Sequence, residues 1–326
     1  MTDLDFTVLL ASIVAGAAPI VLAVLGETIS EKGGVINLSL DGSILLSAMV
    51  SFVVAYQSHN LLLGFVGGAL VGALTAALVG FFSVFLGQSQ VAVGFVLTLT
   101  ARDLAYFLGN PYARLYGPQA GVVPVPWFQE WPVLGPIFFH QSLPAYLSLL
   151  LIPLIWWYLY KTPMGLRLRA IGENPEAAYA RGTNTRTIQF WYTVAGGLLV
   201  GLAGATFSLC TKTGWGRPQG AEGTGWIALA IVIFGGWHPV KTALGAYLFA
   251  FLQIMGIYFQ GWWPSVPAQV FQVAPFPLMI FTLVVMYLAQ RNSAKTSSRG
   301  SPGLRRLMRI LSGAPPAGLG KSFTPD

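Results

Sequence analysis

Residues 161–186, KTPMGLRLRAIGENPEAAYARGTNTR, form a polar, basic island in a chain of 326 residues that is only 9% charged. Five of the 18 Lys and Arg residues fall in it (Lys161, Arg167, Arg169, Arg181 and Arg186), together with Glu173 and Glu176. The apolar run 146–160 ends where the island starts, and another opens at Ile188. A hydrophilic stretch between two apolar runs must stand in water, and its positive excess assigns that water to the cytoplasm. The island therefore sets the fold class as all-α: a polytopic transmembrane helical bundle with a structured cytoplasmic loop at 161–187.

Working outward, 55% of the residues are apolar and the mean hydropathy is +0.66. A soluble domain needs about a quarter of its residues charged to cover its surface. Here charges occupy short intervals between apolar runs of about 15–26 residues, the length that spans a hydrocarbon core. The alternating segments of a β-barrel are absent from the sequence. Asp3 and Asp5 precede the first apolar run and no basic segment does, which argues against a cleaved signal peptide. The single Cys210 excludes an internal disulfide and a cysteine-based metal cluster, and His59, His140 and His238 are scattered, so no metal site or cofactor is expected on this chain. The +7 charge is spread over loops rather than gathered on a soluble domain, so no nucleic-acid partner is expected.

The predicted spans are 7–25, 38–57, 61–86, 91–109, 144–160, 188–209, 226–237, 243–259 and 276–289. Residues 226–237 are short for a crossing, so the count is eight or nine. A broken or re-entrant helix there is tolerated where protein covers its backbone. With the N-terminus outside, fourteen basic residues lie in the cytoplasmic segments 26–37, 87–90, 161–187, 238–242 and the tail, against Arg114, Lys212 and Arg217 outside. The expected orientation is N-out, C-in. Residues 1–290 then form one membrane domain with a Pro-rich, aromatic external loop at 110–143. Residues 291–326 read as a disordered basic cytoplasmic tail. Within the tail, Arg305, Arg306 and Arg309 amid apolar neighbours suit a short helix on anionic membrane lipid, but a solvated stretch that satisfies the positive-inside bias is the favoured reading.

Catalytic patterns are missing from the sequence. No Ser–His–Asp spacing, HExxH or dinucleotide motif occurs, and GLGKS at 318–322 lacks the first glycine of a phosphate loop, Pro315 standing there. The chain is not expected to be an enzyme. Asp41, Arg102 and Asp103 fall within predicted spans, where ionisable groups mark pathways or structural ion pairs. Asn37, Asp41, Phe95, Trp215 and Trp226 are candidates to line a solute path, the aromatic faces suiting a planar or sugar ligand. Gly64, Gly68 and Gly72, and likewise Gly197 and Gly201, repeat every four residues, a pattern for close helix packing rather than a site. In the island, Asn174 suits an N-cap, Pro175 the first helical position, Glu176 the positive helix end and Gly182 a C-cap. A helix capped at both ends holds one geometry, as docking on a partner requires.

The stretch RAIGENPEAAYARG at 169–182 resembles the coupling-helix region of ABC importer permeases of the branched-chain amino acid, simple sugar and nucleoside group. GETISEKGGVINLSLDGSILLSA at 26–48 resembles the opening segment of the sugar/purine-nucleoside branch, in which an acidic residue is expected where Asp41 stands. The segments at 196–209 and 225–246 are similar to that branch as well. The resemblance implies a permease subunit that moves a small polar solute, a nucleoside or simple sugar being favoured, across the bacterial cytoplasmic membrane. It implies that an ABC ATPase subunit, holding ATP and Mg, docks on Arg169, Gly172, Glu173, Asn174, Pro175, Glu176, Ala177, Ala178 and Gly182. It further implies a second, different permease subunit and an extracytoplasmic solute-binding protein. A branched-chain amino acid permease is the nearest alternative. An ATP-independent secondary transporter or channel lacks enough intramembrane charge, and an intramembrane enzyme lacks clustered His and acids.

Overall fold

The computed structural model describes residues 6–263 without a break, then 265–267, 270, 273, 277, 280, 281, 284, 313–321 and 323. Its helices are α1 (Phe6–Lys32), α2 (Leu40–Ser58), α3 (Leu61–Gly80), α4 (Gln90–Gly109) and α5 (Leu143–Lys161), then α6 (Pro163–Glu173), α7 (Pro175–Ala180), α8 (Thr185–Thr206), α9 (Thr224–Phe234) and α10 (Pro239–Trp262). Wide π-turns prolong α3 to Phe85 and α8 to Thr211. Seven helices among the described residues are long and apolar enough to cross a membrane. The expected eight or nine are not reached among them. The candidate 226–237 is the 11-residue α9, about 16 Å long, and 276–289 lies largely outside the described residues.

The helix ends follow local chemistry. Asn60 Oδ1 accepts from Leu62 N to open α3, and Ser89 Oγ accepts from Ala92 N to open α4. Side by side, α3 and α8 use the glycine repeats. A Cβ on Gly72 would fall on the Gly197 carbonyl, and one on Gly201 on the Gly68 carbonyl. Gly26 of α1 and Gly196 of α8 meet in the same way. Backbones this close maximise van der Waals contact where lipid offers no hydrophobic gradient. The core is centred on α1, buried almost continuously from Ala17 to Glu31 and enclosed by α2, α8, α9 and α10.

The segment 26–37, expected as a water-facing turn, is largely buried. The first helix continues to Lys32, and Gly33–Ser39 folds back into the bundle. Most of its polar groups find partners there: Glu27 Oε1 accepts from Asn37 N at 2.9 Å, Glu31 accepts from the Trp237 indole, and Ser30 Oγ donates to Val35 O at 2.9 Å, while Glu27 Oε2 is buried without one. Hydrogen bonding of this kind is what permits polar residues in a core. At the opposite end, the Pro-rich segment after α4 carries two short antiparallel strands, β1 (Val122–Pro124) and β2 (His140–Ser142), with Val123 opposite Gln141. Gln141 Nε2 donates to Ala11 O at 3.1 Å and fastens this cap to α1. Residues 313–321 and 323, within the segment expected to be a disordered tail, instead lie on the α7 end of the bundle. Backbone hydrogen bonds to α6 and to the α1–α2 connection hold them there, which composition does not reveal.

Candidate functional site

At the α7 end, three side-chain caps shape the island. Thr162 Oγ1 accepts from Gly165 N at 3.1 Å and opens α6. Asn174 closes α6 through its own N–H to Ala170 O at 2.9 Å and opens α7 by accepting from Ala177 N at 2.9 Å. Gly182, at φ +80°, ends α7 in a left-handed turn, and Asn184 Oδ1 accepts from Thr187 N to open α8. The helix is held at both ends and stands clear of the bundle: Glu173, Asn174, Glu176, Ala177 and Gly182 are exposed, and Pro175 is half-buried. Ala178 and Gly172 are buried. A Cβ on Gly172 would fall on the Lys32 carbonyl, so this glycine locks α6 against the end of α1 rather than meeting a partner. The Arg169 guanidinium lies over the Tyr160 ring at 4.8 Å, again against the bundle.

A second cluster lies inside. Thr98, near the middle of α4, donates from Oγ1 to Leu38 O at 2.7 Å, so α2 starts halfway along its neighbour. Asp41 Oδ1 accepts from Gly225 N at 3.1 Å, and a Cβ on Gly225 would strike the Asp41 backbone. The N-termini of α2 and α9 thus meet beside the centre of α4, with the Asp41 carboxyl between them. Asn37 is buried here. Its Oδ1 accepts from Ser39 Oγ at 2.6 Å, Ser39 Oγ pairs with Ser43 Oγ at 3.1 Å, and Ser43 Oγ pairs with Thr75 Oγ1 at 2.8 Å. This hydroxyl ladder crosses from the α1–α2 connection to α3.

Phe95 and Trp226, 49% and 40% exposed, stand beside that junction with ring centroids 6.4 Å apart. Leu99, Arg102 and Tyr106 continue the Phe95 face along α4, since steps of three and four residues stay on one side of a helix. Tyr106 OH donates to Glu222, and the Arg217 guanidinium covers the Tyr106 ring at 4.7 Å. Asp103, Tyr106, Phe107, Asn110 and Arg217 line an open cleft of about 740 Å³, a volume that suits a small solute. Glu222 also accepts from Gln219 N at 2.7 Å and from Gly220 N at 2.5 Å, so both its carboxyl oxygens are held.

The structure brings Asp41, Phe95 and Trp226 together and places Asn37 behind them in the ladder. Trp215 does not join them. It is buried, packs on the Tyr106 ring with centroids 5.7 Å apart, and borders a second open cleft with Arg114, Lys212 and Gln219. Arg102 and Asp103 pair with each other at 3.3 Å, which their adjacency on the helix did not require. Sequence reading missed Glu27, Glu31, Tyr106, Arg217 and Glu222. The acids four apart in α1 carried a signal, since Glu27 and Glu31 share a helix face. Glu222 carried none, because its partner lies 116 residues away.

A bundle of long apolar helices with a polar, aromatic-walled interior and one exposed, doubly capped helix at an end is the build of a membrane transport subunit. The chain belongs to the family described as the branched-chain amino acid transport system / permease component, whose model matches residues 9–286. It is similar to a putative glucose ABC transporter permease of Haloferax volcanii, 36% identical over 251 residues, 76% of this chain and 76% of that protein. It is 32% identical over 295 residues to a nucleoside ABC transporter permease of Lactococcus lactis subsp. cremoris, 86% of this chain and 92% of the relative. A guanosine ABC transporter permease of Bacillus subtilis is 31% identical over 262 residues, 74% of this chain and 79% of the relative. No solved structure matches the chain.

Proposed function

We infer that the protein is the membrane-spanning permease subunit of an ABC importer for a nucleoside or simple sugar. The observation that carries this is the family match over nearly the whole bundle, joined to relatives named for glucose, nucleosides and guanosine. An ABC ATPase subunit, holding ATP and Mg, docks on the outward residues of 173–182. A second, different permease chain completes the solute path, and an extracytoplasmic binding protein delivers the solute. The bundle sits N-out, C-in in a bacterial cytoplasmic membrane, as the basic residues near α7 favour. The coil 212–223 and α9 together make one broken crossing, its backbone covered by α1 and α2. Solute descends the wall Arg217–Tyr106–Trp226–Phe95 to Asp41. Closure of the ATPase dimer displaces α7 and rocks the bundle between outward- and inward-open states.

Gentle purification of the tagged protein from its native membrane tests this. A stoichiometric ATPase, lost when Pro175–Ala180 is disrupted, and uptake that requires ATP are expected. Isolation of the chain alone, with solute flux in liposomes lacking ATP, would overturn it.

A further inference from the structure

Residues 313–321 and 323 return to the α7 end and tie its connections together. Gly318 N donates to Gly172 O at 2.8 Å, and Ala317 N donates to Glu173 Oε2 at 3.2 Å, both at the close of α6. Two residues further on, Gly320 N donates to Gly34 O at 3.1 Å in the α1–α2 connection. Arg186 Nε, in the first turn of α8, donates to Phe323 O at 3.3 Å, and the Phe323 ring lies 5.5 Å from the Tyr179 ring of α7. Gly313 backs on Gly236 in the α9–α10 turn so closely that a Cβ on either would strike the other. Pro316 and Gly318 are buried, and Leu319 packs against the main core.

A helix of six residues with only Ala178 buried is weakly anchored by itself. A push on it is dissipated by bending unless something stiff joins it to the part that must move. We propose that the C-terminal segment is a positioning strap that carries displacement of α7 to the start of α2, and so to Asn37 and Asp41. This rests on reading α7 as the ATPase-docking helix. The carbonyls of Gly172 and Gly34 are held by amides two residues apart, so the α6–α7 junction and the α1–α2 connection are tied across at most about 7 Å of chain. Gly34 precedes Asn37 by three residues, and the Gly236 contact reaches the turn after α9, the other helix at the Asp41 junction. The strap lies on the inner side of α7 and leaves Glu176, Ala177 and Ala180 exposed. It therefore does not compete with a docked partner, which separates it from an autoinhibitory plug.

The test uses the full importer in proteoliposomes and reads solute taken up per ATP hydrolysed. A chain ending at Ser312 is expected to keep its ATPase and hydrolyse ATP, while uptake per ATP falls about tenfold, within the range of coupling losses along such networks. Gly318→Leu, whose side chain meets the Gly172 carbonyl and Pro175, lifts the strap without shortening the chain and is expected to do the same. Unchanged uptake per ATP in both the truncated and the Gly318→Leu proteins overturns the strap alone. A full-length chain without an ATPase or ATP-driven uptake overturns the proposed function and the strap with it.

Discussion

Replacing Asp41 tests the junction between α2 and α9 and the solute path at once. Its Oδ1 accepts from Gly225 N at 3.1 Å, and Asp41 is 6% exposed. Asp41→Ala removes the acceptor and leaves the Gly225 N–H buried without a partner, at about 1–3 kcal/mol. Close packing of Gly225 on the Asp41 backbone prevents the helices from shifting to find another acceptor. For a chain of this size that loss lowers Tm by about 1.5–4 °C. Asp41→Asn keeps a carbonyl oxygen in place and is expected to lose less than half as much. Uptake should fall in both variants, because both alter the group at the inner end of the proposed solute wall. The assays are thermal unfolding of purified protein in detergent and ATP-driven uptake in proteoliposomes. An Asp41→Ala protein that melts with the parent would refute the junction as a structural lock. Parental uptake by Asp41→Asn would remove its carboxyl from the path.

Other expectations follow from neighbouring contacts. Glu176→Arg, on the exposed face of α7, should leave the unfolding free energy unchanged within about 0.5 kcal/mol while ATPase recovery in pull-down falls about tenfold. Gly172→Ala should instead lower Tm, by about 1–3 kcal/mol of overpacking against the Lys32 carbonyl, so the two residues of one island separate docking from folding. On α3, Gly72→Ala should destabilise through the Gly197 carbonyl, whereas Gly67→Ala, whose Cβ meets Val54 at an ordinary 3.4 Å, should be neutral or stabilising by up to about 1 kcal/mol. Glu222→Gln removes the charge that accepts from the Gln219 and Gly220 N–H groups, so hydrogen exchange at both should speed up relative to the parent.

The island at 161–186 was readable because its signals are local. Asn174, Pro175, Glu176 and Gly182 act on backbone groups within four residues, and the structure places each cap where the residue types put it. The glycine repeats of α3 and α8 were legible as close-packing faces for the same reason, although their pairing with each other was not. Apolar run length likewise marked the long helices. It failed at 26–37, where charge and glycine suggested a water-facing turn. There, partners at Asn37 and Trp237 let two carboxyl groups lie buried.

By itself, then, the sequence determined the class of protein: helices of membrane-spanning length, the capped helix between two of them and the family to which they belong. These depend on periodicity, composition and contacts a few residues long. Tertiary structure alone decided that Asp41 meets Gly225 across 184 residues, that Tyr106 meets Glu222, and that Trp215 packs on Tyr106 away from Asp41. It also decided that residues 313–321 and 323 fold back on the α6–α7 junction. Hydrogen bonds between distant backbone groups carry no residue-type signature, because every peptide unit offers the same donor and acceptor. Which of them pair depends on how the helices pack.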